Sequence, residues 1–145
     1  MRGLLVISLI IFLGSSLIAQ EWQTDLEQAK AIAAEQNQNI ILVFQGSDWC
    51  APCIKLDTEV WSTEEFKTYA KNHFVMLLAD FPRKKENVLS AEQQEKNNKL
   101  AEKYNGNGYF PFVVVLNKDG KVLGETGYKK ITPAEYIDLL ESFKS

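Results

Sequence analysis

The chain has 145 residues, with 16 Lys and Arg against 19 Asp and Glu, one His, two Cys and a formal net charge of −3. A mildly acidic chain with no basic stripe gives no encouragement to nucleic-acid binding or to docking on anionic membranes. Two cysteines are too few for a disulfide scaffold, so a hydrophobic core has to hold the domain together.

The N-terminus reads as an export signal. Met1-Arg2-Gly3 precedes an apolar run from Leu4 to Leu13, then the small-residue region Gly14-Ser15-Ser16-Leu17-Ile18-Ala19. A positive start, a short apolar stretch and small residues at the end make a secretory signal peptide, expected here over residues 1–19. The apolar stretch falls short of the ~20 residues of a spanning helix, so a retained anchor is the weaker reading. A single domain from 20 to 145 follows, placed in the periplasm or secreted, with no stable membrane anchor after cleavage.

Glu21-Trp22-Gln23 is either a short first strand or an arm. Thr24 or Asp25 caps a helix whose apolar positions Leu26, Ala29, Ile32 and Ala33 share one face. Ile40 to Phe44 is a continuous apolar run, the pattern of a strand buried on both faces. Gly46-Ser47-Asp48 then leads into Trp49-Cys50-Ala51-Pro52-Cys53, which holds both cysteines.

A Cys-x-x-Cys pair at a strand-to-helix junction is the setting of a reactive dithiol. Unpaired backbone N–H groups and the positive end of the helix dipole favour a thiolate on the first sulfur. Pro52 suits the first helical turn, where its missing N–H is not needed. A structural zinc site would need four ligands, and His73 adds only one, so no metal is expected. A structural staple is a poor alternative, because so short a loop restrains little of the unfolded chain.

The helix after the cysteines is expected to break near Val60 and restart from about Thr63 to Asn72, with Ser62-Thr63-Glu64-Glu65 as a capping box. Phe74 to Ala79 is a second buried strand. Arg83-Lys84-Lys85 reads as a solvated loop. Ser90-Ala91-Glu92-Gln93 is another capping box, opening a helix that is polar at first and then offers Leu100, Ala101 and Tyr104 for docking. Asn105-Gly106-Asn107-Gly108 ends it.

Phe112 to Leu116 and Lys121-Val122-Leu123 flank Asn117-Lys118-Asp119-Gly120, a hairpin signal. Thr132-Pro133-Ala134-Glu135 opens the last helix, with Ile131 and Tyr136 as a hydrophobic staple and Tyr136, Leu139, Leu140 and Phe143 along its apolar face. This order predicts an α/β domain, a mixed central sheet with helices on both faces and a C-terminal hairpin plus helix.

With these elements the mature region resembles the thioredoxin superfamily. It is most similar to small exported thioredoxin-like proteins and to the thioredoxin-like domain of envelope thiol reductases. The resemblance rests on the Cys50–Cys53 motif, the Phe74–Asp80 strand, Leu100-Ala101-Glu102-Lys103-Tyr104, Gly108-Tyr109-Phe110-Pro111-Phe112 and the hairpin.

It implies the thioredoxin fold and thiol–disulfide exchange without a cofactor. Cys50 would be the nucleophile and Cys53 the resolving thiol. It also implies a cis-Pro111 facing the pair, and a substrate surface of Trp49, Ala51, Pro52, Phe110 and Pro111. Its partners would be disulfide- or dithiol-bearing proteins, with a membrane thiol reductase as a candidate electron donor, and a monomer is expected.

The sequence departs from the family pattern at Phe44, where many thioredoxins carry a buried acid; the proton-handling role is left to Asp48 or a water. Ala51-Pro52 stands where thioredoxin has Gly-Pro. The direction expected is reductant or electron carrier. Alternatives are an isomerase or oxidase, or a thioredoxin-like binding module with little turnover.

Overall fold

The computed structural model describes residues 20–143; the expected signal segment, 1–19, lies outside the described residues. Five strands are formed: β1 (Trp22–Gln23), β2 (Asn39–Gln45), β3 (Phe74–Asp80), β4 (Phe112–Leu116) and β5 (Val122–Thr126). They make one sheet in the order β1-β3-β2-β4-β5. β3 runs parallel to both β1 and β2, while β4 is antiparallel to β2 and to β5. The mixed α/β sheet expected from the sequence is therefore present, and the open question at Trp22 resolves as a strand.

The helices are α1 (Leu26–Gln36), α2 (Ala51–Leu56), α3 (Glu64–His73), α4 (Ala91–Tyr104) and α5 (Pro133–Ser142). Alternation along β2 divides the core. Ile41 and Val43 face a layer built from Leu56, Val60, Trp61, Phe66, Tyr136 and Leu140. Ile40, Leu42 and Phe44 face the opposite layer, with Ala29, Ala33, Leu100 and Tyr104. Both faces of the central strand are covered, which is why it carries no polar residue between Ile40 and Phe44. Trp61 anchors the first layer, its ring edge-to-face with Phe66 at 4.8 Å and Tyr136 at 5.3 Å. Each such pair contributes about 1 kcal/mol beyond its area.

Helix ends follow the capping chemistry with two corrections. Asp25 caps α1 by accepting from the Gln28 amide, and Asn37 closes it in the left-handed region. Thr132 and Glu135 form the reciprocal box on α5. At the break after α2, however, the chain makes a π-helical turn over Asp57–Trp61. Ser62 Oγ donates to Asp57 Oδ1, and Thr63 becomes the cap of α3, accepting from the Phe66 amide. The expected Ser62–Glu65 box therefore does not form; the cap moves to Thr63, and Phe66 at the third helical position has no acceptor to return the bond. Ser90 does cap α4, but the Gln93 side chain does not return the bond. Its amide donates to Thr24 O and Asn97 Oδ1 instead.

Polar α4 also hides a structural residue. Asn97 is buried and donates to Asp80 O at 2.8 Å, fixing the helix to the end of β3. His73, weighed above as a lone zinc ligand, stacks on Tyr69 and places Nδ1 2.7 Å from Tyr69 O.

Candidate active site

β2 delivers its last residue, Gln45, to a tight turn in which the amides of Trp49 and Cys50 donate to Gly46 O. Cys50 is the N-cap of α2, with extended backbone, and its Sγ accepts from the Cys53 amide at 3.3 Å. Ala51 and Pro52 lie in the first helical turn, exposed, where proline's missing donor costs nothing. Cys53 follows, and the two sulfurs are joined as a disulfide with Cα atoms 5.2 Å apart. Both cysteines are nearly covered, at 4 % and 2 % exposure. Burial therefore barely distinguishes the two sulfurs in the oxidised pair. The asymmetry lies in the hydrogen bond: only Cys50 holds the cap position, so the helix N-terminus favours charge on its sulfur.

Trp49 is held on several sides. Its Nε1 donates to Phe81 O at 2.7 Å, and its ring meets Phe110 edge-to-face at 5.5 Å. The Arg83 guanidinium lies 3.6 Å from the indole centroid. Gly46 is required on close approach, since any Cβ there would collide with the indole. Phe110 in turn touches Phe81, 5.5 Å between ring centroids.

The Phe110–Pro111 bond is cis, as the resemblance implied. Pro111 precedes Phe112, which pairs with Phe44 at the end of β2 that leads to the cysteines. Trp49 and Phe110 are thus in contact, and Pro111 opens the neighbouring strand at the same end of the sheet. Buried Asn105 shapes the approach: its side chain donates to Tyr109 O and accepts from Tyr109 N, so one amide satisfies both backbone groups.

Asp48 has a role the sequence reading missed. Its carboxylate accepts from the amides of Arg83 and Lys84 and from the Asn87 side chain, each at 2.9 Å. These bonds, led by the one from the Arg83 amide, hold its pKa down at about 2. A carboxylate so engaged is a poor proton acceptor near neutrality, so it does not fit the proton-handling role considered for it. It pins the 83–87 loop beside Trp49 instead. No local motif announces bonds that span 35 or more residues; the only available signal was an acid just before the motif and a polar run later.

The depressed pKa has a defined consequence. The pinning is complete above the ordinary carboxyl value of 3.8 and is lost as the pH falls toward about 2. Asp48→Asn is expected to mimic the acid state near neutrality, with faster hydrogen exchange at the Arg83 and Lys84 amides. Unchanged protection at both amides would contradict the pinning role.

A family model described as thioredoxin-like matches residues 21–118. The chain belongs to the thioredoxin-like family. With its Cys50–Cys53 pair closed at the start of α2, it is a thiol–disulfide oxidoreductase of that family. It is 34% identical over 122 residues to the disulfide bond reductase DsbH of Chlamydia pneumoniae, covering 84% of this chain and 71% of that protein. The thioredoxin-related protein DsbJ of the same organism is 26% identical over 106 residues, 73% of this chain but 30% of its own. Among solved structures, the DsbH oxidoreductase superposes with a TM-score of 0.78 at 32% identity, covering 86% of this chain and 83% of that one. A Thermus thermophilus thioredoxin, at TM-score 0.60 and 21% identity over 85% of each chain, shares the fold. Among the described residues no cluster of His, Cys, Asp and Glu is arranged to hold a metal ion, and no helix is long and apolar enough to cross a membrane.

Proposed function

We propose that this thioredoxin-like protein works outside the cytoplasm as a reductant of protein disulfides, with Cys50 as the attacking thiol and Cys53 as the resolving one. The observation that carries the proposal is the Cys50 sulfur at the N-cap of α2, bonded to the Cys53 amide and linked to Cys53 as a disulfide. In the reduced protein the Cys50 thiolate attacks one sulfur of the partner's disulfide, and the other leaves as a thiolate and is protonated. Cys53 then attacks Cys50 through the mixed disulfide and releases the partner as a dithiol. Two electrons and two protons pass to the partner, and the enzyme is left oxidised. A thiol reductase of the membrane would restore the dithiol.

Acidity alone does not make this fast. Lowering a thiol pKa from ~8.5 to ~7 raises the thiolate fraction at neutral pH about 15-fold, and the accompanying fall in nucleophilicity returns roughly fivefold. The remaining few-fold gain leaves substrate placement as the larger contribution. Trp49, Ala51, Pro52, Phe110 and Pro111 would form that surface, with the backbone beside Pro111 pairing with the substrate chain.

The direction is supported by the name of the reductase relative and by the Ala51-Pro52 dipeptide, which offers no histidine to stabilise the reduced form. Location is supported by the composition of residues 1–19. Equilibration of the purified protein with glutathione redox buffers tests the direction. The expected potential is nearer to thioredoxin, about −270 mV, than to the strong oxidant DsbA at about −120 mV. A value at the oxidising end would overturn the reductant reading while leaving exchange itself in place.

A further inference from the structure

The loops around the redox pair carry a set of exposed cations that make no ion pair among the described residues. β2, β3 and β5 end, and β4 begins, at the end of the sheet that carries Cys50, so the segments 46–50, 81–90, 105–111 and 127–131 share it. Contacts tie these segments together. Arg83 lies on Trp49, Lys55 Nζ stands 5.7 Å from the Tyr128 ring, and a Cβ on Gly127 would come within 3.3 Å of Pro111 O.

Six cations surround this end: Lys55 on α2, Arg83, Lys84 and Lys85 on one loop, and Lys129 and Lys130 on the other. All six are exposed. None forms an ion pair among the described residues, whereas Lys30, Lys67, Lys96 and Lys99 on the helices each do. The acids at the same end are held by other donors. Asp48 takes the loop amides, Asp80 takes Ser47, Glu59 takes Tyr128 and Asp57 takes Ser62. Those carboxylates keep their charge, and Glu86 on the 83–87 loop and Glu125 near the end of β5 are exposed there as well, so the exposed cations exceed the exposed acids only modestly. In a chain of net charge −3, six exposed cations thus stand around the disulfide with no carboxylate within ion-pair distance among the described residues.

We propose that this rim selects partner polypeptides carrying acidic residues on both sides of the disulfide to be reduced. The inference rests on the exchange function proposed above and names the substrate class for it. Charges on a rim act on encounter and orientation more than on the chemical step. Two cationic loops on opposite sides of Cys50 would also set the direction in which an extended chain is laid across it.

The test uses three synthetic peptides with the same central disulfide, flanked by Asp and Glu, by Lys, or by Ser. The reduced protein is expected to react with the acidic peptide at least about tenfold faster than with the basic one in dilute buffer. That ratio should fall to about two in roughly 0.5 M salt, where screening lengths are a few ångströms. Lys84→Glu/Lys85→Glu and Lys129→Glu/Lys130→Glu are each expected to lower the low-salt ratio several-fold. Because the ratio compares two peptides on one protein, a general loss of activity leaves it unmoved. Reaction with all three peptides at a ratio near one, or a ratio that neither variant changes, would overturn this inference alone. No reaction with any peptide, the Ser-flanked one included, would overturn the exchange function and the inference with it.

Discussion

Cys50→Ala is expected to lower exchange with a disulfide-bearing protein by at least about a thousandfold, since the group that makes the new bond is gone. Cys53→Ala is expected to behave differently. Its Cys50 still attacks, but nothing resolves the mixed disulfide, so covalent adducts with partners accumulate and stay. The distinction follows from the hydrogen bond at the start of α2, where the Cys53 amide donates to the Cys50 sulfur and the reverse bond is not made. Non-reducing gels of the two variants mixed with oxidised partner protein check it. Equal trapping by both variants would show that either sulfur can lead, and would remove the assigned order.

Phe44→Asp is expected to cost several kcal/mol of folding stability. Phe44 is fully buried, and its ring lies 6.3 Å from that of Phe112 among Leu42, Leu77 and Ala79. Loss of a buried phenyl alone costs about 3–5 kcal/mol. The new carboxyl then adds a desolvation penalty in a layer made of apolar side chains. Burial raises its pKa in the folded state, so the deficit is smallest in acid and grows as the pH rises through the unfolded and then the folded value. Against a typical total of about 5–15 kcal/mol, such a loss brings the domain close to unfolding. Denaturant titrations of wild type and variant at two pH values measure it. A variant as stable as wild type near neutrality would show that position 44 is not enclosed as described.

Much of the fold could be read from short stretches of chain because its signals are local. The run Ile40–Phe44 is apolar at every position and becomes the strand covered on both faces. Thr132 and Glu135 stand at the right spacing for a reciprocal cap and form one. Cys50 and Cys53 sit where an apolar strand meets a helix, which located the redox pair. What escaped the reading depends on residues far apart in sequence. Ser62 and Thr63 are equally suited to cap α3, and the choice is made by the π turn, which brings Asp57 to the Ser62 hydroxyl. Asn97 looks like part of a solvated helical face until β3 supplies Asp80 O as its acceptor. The run Arg83-Lys84-Lys85 is exposed, as a charged loop should be. Only the fold brings Asp48 to its backbone and the Trp49 indole to the Arg83 guanidinium.

Cys50 and Cys53 are expected to turn over, rather than merely to mark a surface on which a partner docks. The most direct measurement mixes the purified, reduced protein with one equivalent of hydroxyethyl disulfide and follows the thiols and the intact mass with time. Both protein thiols are expected to disappear together, with gain of the Cys50–Cys53 disulfide and release of two equivalents of the small thiol. Persistence of both protein thiols, with no small thiol released over hours near neutral pH, would contradict it and leave a binding module in its place.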